Sequence, residues 1–269
     1  MKQITSFEYI RDILDFITLS EPNSKNTIDS HFHEAIEVLY VTKGSVLVEI
    51  NGDKRILHED QLLFCDSFDL HSFETPTDED LSISFIIPPS LLMEYKAIKK
   101  SHRLRSNFIL DKKTALSFKS LLDTLALFHT PGKMNSVSAN IAKAFLSLIV
   151  TAVGFQDNKH QSTTFSSEVL QYISDHLSEF VTLDGVAAHF GYTKYYFTKI
   201  FQNTFHVTFG YYLNLLRMQK AIQLIKAGNS SLNAAIQAGF NSESTFYRFI
   251  RNEFNMTPAQ LIHYSSRES

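Results

Sequence analysis

At 269 residues, with 44% hydrophobic and 20% charged residues, the chain has an ordinary globular composition and enough length for two domains with cores. Its single cysteine, Cys65, excludes an intrachain disulfide, which suits a reducing, cytoplasmic setting. Charge excludes any argument for nucleic acid from bulk electrostatics: the net charge is −3, residues 166–269 hold 8 Lys+Arg and 7 Asp+Glu (+1), and residues 1–165 hold 17 and 21 (−4).

The N-terminus, MKQITSFEYI, lacks the apolar core of a signal peptide, and no run approaches the roughly 18 apolar residues of a membrane span. No membrane partner is expected. Residues 7–19 read as a short amphipathic segment, with Phe7, Ile10, Ile13, Leu14 and Ile17 apolar, and residues 20–30 are polar and turn-rich. From residue 31 the period becomes two. Ile36, Val38 and Tyr40 alternate with Glu37, Leu39 and Val41, Lys43-Gly44 turns the chain, and Val46, Val48 and Ile50 continue the alternation. Asn51-Gly52 is a hairpin signal, because a type I′ turn needs positive φ at both central positions. Further strands are expected at 53–57, 61–65 and 81–87, and short strands at this spacing suggest a small β-barrel or sandwich.

Pro88-Pro89 closes that region, and residues 90–98 read as helical. Lys99, Lys100, Arg103 and Arg105 form a basic cluster that reads as a solvated face. Two helices follow at 112–128 and 136–153, joined by a turn at Pro131-Gly132, for packing on the barrel or for dimerisation. The polar segment 156–164, QDNKHQSTT, is the best linker in the chain. A helix at 165–180 precedes a region that carries one pattern twice.

The first copy runs through Ala187, Gly191, Tyr192, Thr193, Phe197, Phe201, Phe205, Val207 and Thr208; the second through Ala235, Gly239, Phe240, Ser242, Phe246, Ile250, Phe254, Met256 and Thr257. The offset is 48 up to Tyr192/Phe240 and 49 from Thr193/Ser242, so the second turn holds one extra residue. Two copies are too few for a solenoid, which needs at least about three. Each copy instead has the parts of a helix-turn-helix. There is a small residue where helices cross, a glycine for a tight turn, an aromatic after it, an N-cap hydroxyl, and apolar residues at helical spacing. A long helix over 208–227, stopped at Gly228-Asn229, joins the two.

Residues 166–265 resemble the DNA-binding domain of the AraC/XylS family of bacterial transcription regulators. The resemblance is carried by LDGVAAHFGYTKYYFTKIFQ, by YYLNLLRMQKAIQLI with Arg217 and Ala221, and by AAIQAGFNSESTFYRFIRNEFNMTPAQL with Pro258. Glycine is frequent in the family where His206 and Asn255 stand here, and a larger apolar residue is usual where Ser231 stands. In the N-terminal half, HFHEAIEVLYVTKGSV is similar to the first cupin motif, with His31, His33, Glu37 and Gly44 at cupin spacing and His71 where the second motif places its histidine.

Two candidate sites follow. The buried stripe of each second helix leaves an exposed face: Lys194, Tyr195, Thr198, Lys199 and Gln202 in one copy, Glu243, Ser244, Tyr247, Arg248 and Arg251 in the other. Arg and Lys read guanine or clamp phosphate, and Gln reads adenine. The two faces differ at matched positions, so one protomer should read an asymmetric site. The second candidate is His31, His33, Glu37 and His71, the first three expected on one face of a strand. Three readings stay open for it: a Zn, Fe or Mn site, an organic effector pocket without metal, or hydrogen-bonded barrel residues. The resemblance favours the effector pocket, with Phe32, Tyr40, Phe64, Phe68 and Phe73 as candidate walls.

The expected architecture is thus α+β with two domains: a cupin-like effector-sensing domain at 1–110, a helical pair at 111–155, a linker at 156–165 and an all-α double helix-turn-helix domain at 166–265. The resemblance implies a transcription activator, not an enzyme, gated by a small molecule and acting on double-stranded DNA. RNA polymerase and a second copy of the chain are partners by analogy. The competing reading is a metal-dependent cupin enzyme carrying a DNA-binding module.

Overall fold

A computed structural model describes residues 6–7, 16–20, 27–99, 102–157, 165–177, 181–205 and 207–267. The chain divides into two compact units, one within residues 10–162 and the other within 163–268.

The first unit is built mainly from strands: β1 (Thr18–Leu19), β2 (Ile28–Phe32), β3 (Ile36–Lys43), β4 (Ser45–Ile50), β5 (Asp53–His58), β6 (Leu62–Cys65), β7 (His71–Glu74) and β8 (Leu81–Ile87). In one sheet β2, β7, β4 and β5 lie side by side in that order, and in the other β10 (Phe108–Ile109), β6, β3, β8 and β1 do. The β4–β5 hairpin turns at Asn51 (φ 49°) and Gly52 (φ 87°), the double positive φ that Asn-Gly supplies.

Strand β3 is buried on both faces from Ile36 to Val41, and its alternation sorts two cores. Leu39 and Val41 join Val46, Val48, Leu57, Leu63 and Phe73 between the sheets. Ile36, Val38 and Tyr40 face the other way, onto Phe118, Leu122 and Leu125 of α2 (Lys112–Phe128) and Phe145 and Ile149 of α3 (Ser136–Val153). The helical pair therefore shares a core with the sheet. The 18 residues of α3 reach a mean hydropathy of 1.6, enough in length and composition for a membrane span, so the expectation that no run approaches one is corrected. Yet Ala142, Phe145, Leu146 and Ile149 of this helix are core residues of the unit.

Other expectations move at their edges. The helix expected at 90–98 is α1 (Met93–Lys99), after a short 3₁₀ turn at Pro89–Leu91. The first residues of the expected linker are paired instead: β11 (Phe155–Asp157) runs antiparallel to β9 (His102–Leu104), and 158–164 lie outside the described residues. In the basic cluster, Lys99 pairs with Asp66 at 2.9 Å and Arg105 donates to the Phe155 carbonyl, while Lys100 lies outside the described residues. Of the amphipathic segment 7–19, residues 8–15 lie outside them too; what is described at its ends is extended at Ser6–Phe7 and Thr18–Leu19.

The second unit is helical: α4 (Phe165–Asp175), α5 (Leu183–His189), α6 (Lys194–Phe205), α7 (Phe209–Lys226), α8 (Ser231–Gln237), α9 (Glu243–Phe254) and α10 (Pro258–Arg267). Helix α7 is its axis, in contact with α6, α8, α9 and α10. Phe209, Tyr212, Leu215, Leu216, Met218, Ala221 and Ile222 are buried around it, as befits a helix covered on several sides. Caps set the boundaries: the hydroxyls of Thr182, Thr208, Ser230 and Ser242 each accept a backbone N–H from the first turn of the following helix. The Ser230 cap secures the start of α8 although Ser231 replaces a larger residue.

The two turns of the repeat close alike. Tyr192 N–H donates to Ala187 O and Phe240 N–H to Ala235 O, at 2.8 and 3.0 Å. Both glycines have positive φ, +72° at Gly191 and +96° at Gly239. Asn255 after α9 is left-handed at φ 54°, the conformation glycine adopts most cheaply, while His206 lies outside the described residues.

The turns differ in what covers them. A Cβ at Gly191 would meet open space, but at Gly239 it would lie 2.9 Å from Nε of Arg217, a half-buried side chain of α7. We expect Gly191→Ala to cost about 1 kcal/mol from backbone strain alone, and Gly239→Ala about 2 kcal/mol or more. Urea denaturation of the two variants checks this; equal losses would show that Arg217 moves aside freely.

Candidate ligand site and nucleic-acid interface

The histidines and Glu37 do come together, but not from one strand. His31 lies in β2 opposite His71 of β7, the chain bends at Glu34 and Ala35 after that strand ends, and Glu37 lies in β3 of the other sheet. The expectation of one shared strand face is corrected: the bend carries His33 across, and the cluster joins the two sheets. All four side chains are buried, none more than 1% exposed.

Tautomers follow from the partners. Each Nδ1 faces a backbone carbonyl, which only accepts: His31 with Asp29 O at 2.9 Å, His33 with Ala35 O at 2.9 Å, His71 with Asp69 O at 2.7 Å. Each Nδ1 is therefore the N–H, and in the neutral rings each Nε2 carries a lone pair. The three Nε2 atoms converge on one oxygen, Glu37 Oε2, at 3.7, 3.1 and 3.4 Å from His31, His33 and His71. The other carboxylate oxygen, Oε1, accepts the Ser84 hydroxyl at 2.5 Å. Burial pulls the His71 imidazole down to about 4, against the upward pull of Glu37.

Three imidazole lone pairs and a carboxylate form a donor set for a divalent transition metal. Their ligand atoms lie within 4.8 Å of one another, close to the spread of donors around one ion bound at about 2.1 Å. Carbonyl partners at every Nδ1 are the outer hydrogen bonds that fix ligating histidines. The residues fit such an ion. They do not leave room for an organic molecule between the donor atoms. Of the expected aromatic walls, Phe73 lies by the cluster, 5.5 Å from His71 between ring centroids, whereas Tyr40 and Phe64 belong to the core under the helices. Phe32 and Phe68 are buried, and Phe68 adopts φ 65° with its N–H on the His33 carbonyl.

Ser84 was not among the expected residues. Its signal is present in the strand LSISFII, where Ser82 and Ser84 alternate with apolar residues on a face that must be interior.

In the second unit, each repeat presents the expected face. On α6, Phe197, Phe201 and Phe205 are buried while Lys194, Tyr195, Lys199 and Gln202 are exposed and Thr198 is half-buried. On α9, Phe246 and Ile250 are buried, Ser244, Tyr247, Arg248 and Arg251 are exposed, and Glu243 is half-buried. Lys194 is engaged with Asp184 of α5 at 2.7 Å, an exposed pair worth little. Tyr196, 52% exposed, joins this surface and leans on Tyr192 at 5.3 Å; the sequence reading missed it because its position borders the buried stripe. Together the faces offer cations, an amide, hydroxyls and tyrosine rings, all groups that contact DNA phosphates or base edges.

Comparison with known proteins agrees with this division. Residues 19–87 match a family model described as a cupin domain, and residues 186–263 match one described as a helix-turn-helix domain. The chain is 23% identical over 274 residues to the uncharacterized HTH-type transcriptional regulator YdeC of Bacillus subtilis, covering 96% of this chain and 94% of that protein. It is 30% identical over 96 residues to the regulatory protein SoxS of Salmonella typhimurium, covering 35% of this chain and 90% of that protein. Among solved structures, ToxT from Vibrio cholerae O395 aligns over 93% of this chain and 96% of its own at 12% identity, with a TM-score of 0.40.

The hydroxyl of Ser84 donates to a buried carboxylate, and such a bond contributes more than a neutral one. In protein stripped with a chelator, Ser84→Ala should lower stability by about 2 kcal/mol. Chemical denaturation measures it, and an unchanged midpoint would show that Ser84 does not hold Glu37.

Proposed function

This chain belongs to the AraC family of sequence-specific DNA-binding transcription regulators, with a cupin-like domain preceding its double helix-turn-helix domain, and from that premise we propose that it is an activator gated by a small-molecule effector in the N-terminal unit. Two exposed faces on matched helices carry the proposal. Lys194, Tyr195, Thr198, Lys199 and Gln202 of α6 read one major-groove segment. Glu243, Ser244, Tyr247, Arg248 and Arg251 of α9 read the next, roughly 34 Å along the duplex. Exposure over a fully buried apolar stripe supports the assignment, since each helix is held by its core and free on the other side.

At the histidine cluster itself, what fits between the buried donors is an ion. His31, His33, His71 and Glu37 would hold a divalent transition metal through the three Nε2 atoms and Oε2. When bound, such an ion supplies a fixed positive charge that neutralises Glu37. Burial of all four side chains suits a sensor or a staple better than an enzyme centre, which needs an open coordination position facing substrate. Gating is a shift in population: the effector can act only by its differential affinity for DNA-competent and incompetent arrangements of the chain. RNA polymerase and a second copy of the chain are the partners this role asks for, in a cytoplasmic setting.

The test is fluorescence anisotropy on the DNA upstream of the protein's own gene and its neighbours. We expect salt-sensitive, sequence-specific binding, weakened about ten-fold or more by Arg248→Ala and by Lys199→Ala. Absence of specific binding in that DNA counts against the proposed role as a regulator of these genes, and full affinity in both variants would show that the reading faces lie elsewhere.

A further inference from the structure

Helix α1 contributes no donor to the histidine cluster, yet it is tied to both segments that carry donors. Lys96 pairs with Glu34, the residue after His33 in the bend between the sheets. Tyr95 donates its hydroxyl to Asp66 Oδ2 at 3.0 Å, and Lys99 Nζ lies 2.9 Å from the same oxygen. Asp66 opens the turn that delivers His71. Its N–H donates to Asp69 Oδ2 at 2.9 Å, and the Asp69 carbonyl holds His71 Nδ1 at 2.7 Å. These anchors are shielded: Tyr95 is 4% exposed, and the Glu34 and Asp66 side chains are 13% and 12% exposed. Ion pairs of this kind are screened less than pairs on an open surface. Helix α1 also borders a cavity of about 250 Å³ together with α3, lined by Leu91, Tyr95, Ile98, Leu146 and Val150, with Lys143 among the polar residues.

We infer that α1 reports the state of the histidine cluster, with Tyr95, Lys96 and Lys99 acting as positioning residues for its donors. The inference rests on the reading of the cluster as an ion site. Drawing donors that span 4.8 Å onto one ion moves the bend at 33–37 and the turn at 66–71 toward each other. A helix tethered to both segments tightens when they approach and loosens when they part. Cavity space beside α3 gives α1 somewhere to move, which a fully packed helix lacks. The coupling is reciprocal: whatever factor the ion adds to the order of α1, an intact α1 adds to the affinity for the ion.

The experiment uses the full-length protein, stripped with a chelator and titrated with Co²⁺, whose visible absorption reports its ligand set. Hydrogen–deuterium exchange is followed segment by segment. We expect about one Co²⁺ per chain and slower exchange at 31–37, at 66–71 and, by several-fold, at 93–99. Tyr95→Phe, Lys96→Met and Lys99→Met together should weaken Co²⁺ about ten-fold, the usual effect of losing outer-shell support, and abolish the response of 93–99. Co²⁺ binding that protects 31–37 and 66–71 but leaves 93–99 unchanged overturns this inference and leaves the ion site standing. No Co²⁺ absorption beyond that of a His31→Ala, His33→Ala control overturns both. If the triple variant fails to fold, the exchange of the wild-type protein decides alone.

Discussion

A carboxylate with no exposed surface cannot stay charged unless something answers it, because the loss of hydration at a buried ion is worth several kcal/mol. Glu37 is in that position, and much of the first unit is arranged around the answer. One oxygen takes the Ser84 hydroxyl; the other faces three imidazole nitrogens whose protons are already spent on backbone carbonyls. Lone pairs aimed at a carboxylate are repulsive until a cation enters, as a proton or as a metal. The same constraint explains the chain path. His31 and His71 sit opposite each other in one sheet and Glu37 in the other, so the answering groups converge only because the chain bends sharply at Glu34 and Ala35. The bend places Glu34 where Lys96 reaches it, and the turn before His71 places Asp66 where Tyr95 and Lys99 do. Support for the donors and attachment of α1 are therefore the same set of bonds.

The second unit solves a different problem, that of holding two similar reading helices at a fixed separation. Helix α7 does so by being apolar on most sides, with Tyr212, Leu215, Leu216, Ala221 and Ile222 buried. Aromatic packing locks α6 to its start: Phe201 lies 5.7 Å from Phe209 and 5.9 Å from Tyr212 between ring centroids. Arg217 adds a tie from the middle. Its Nε covers the turn at Gly239, and its Nη2 approaches the Val181 carbonyl, just before the first helix-turn-helix, at 3.5 Å. These contacts and its half-buried position spend this guanidinium on structure rather than holding it out for DNA.

How much of this was legible depended on whether the information was local. Helices α2 and α3 and the strands β3 to β6 were readable from period and turn chemistry, down to the Asn51-Gly52 hairpin. The repeat was readable because both copies place the same small residue, glycine and aromatic stripe in register. The four donors of the cluster were readable as residues but not as geometry. Spacing alone put His31, His33 and Glu37 on one strand, and only the fold shows the chain crossing between sheets. Ser84, Asp66 and Tyr95 were invisible as site residues because their roles are set by distant partners: Glu37 stands 47 positions from Ser84, and Asp66 and Tyr95, bonded to each other, stand 29 apart. Short strands such as β9 and β11 were missed for the same reason, since each exists only by pairing with the other.

Charge then constrains how the second unit can act. Residues 166–269 carry only +1, and the cations are not equally available. Lys194 is engaged with Asp184, Arg217 is committed to the turn at Gly239, and Lys220 is half-buried. Lys199, Arg248 and Arg251 remain exposed on the reading faces, and two of these three stand on α9. Non-specific affinity comes from phosphate neutralisation and scales with the number of such cations. A protein with few of them holds random DNA weakly, so a larger share of its binding must come from base-edge contacts and from helices held in register by α7. The faces are unequal in kind as well. Arg248 and Arg251 suit guanine edges and phosphates, whereas Gln202, Thr198 and the ring of Tyr195 suit adenine edges and thymine methyl groups. If these two unlike faces read DNA as proposed, a single copy of this chain would have a direction on it, and the orientation of its site would become part of what it specifies.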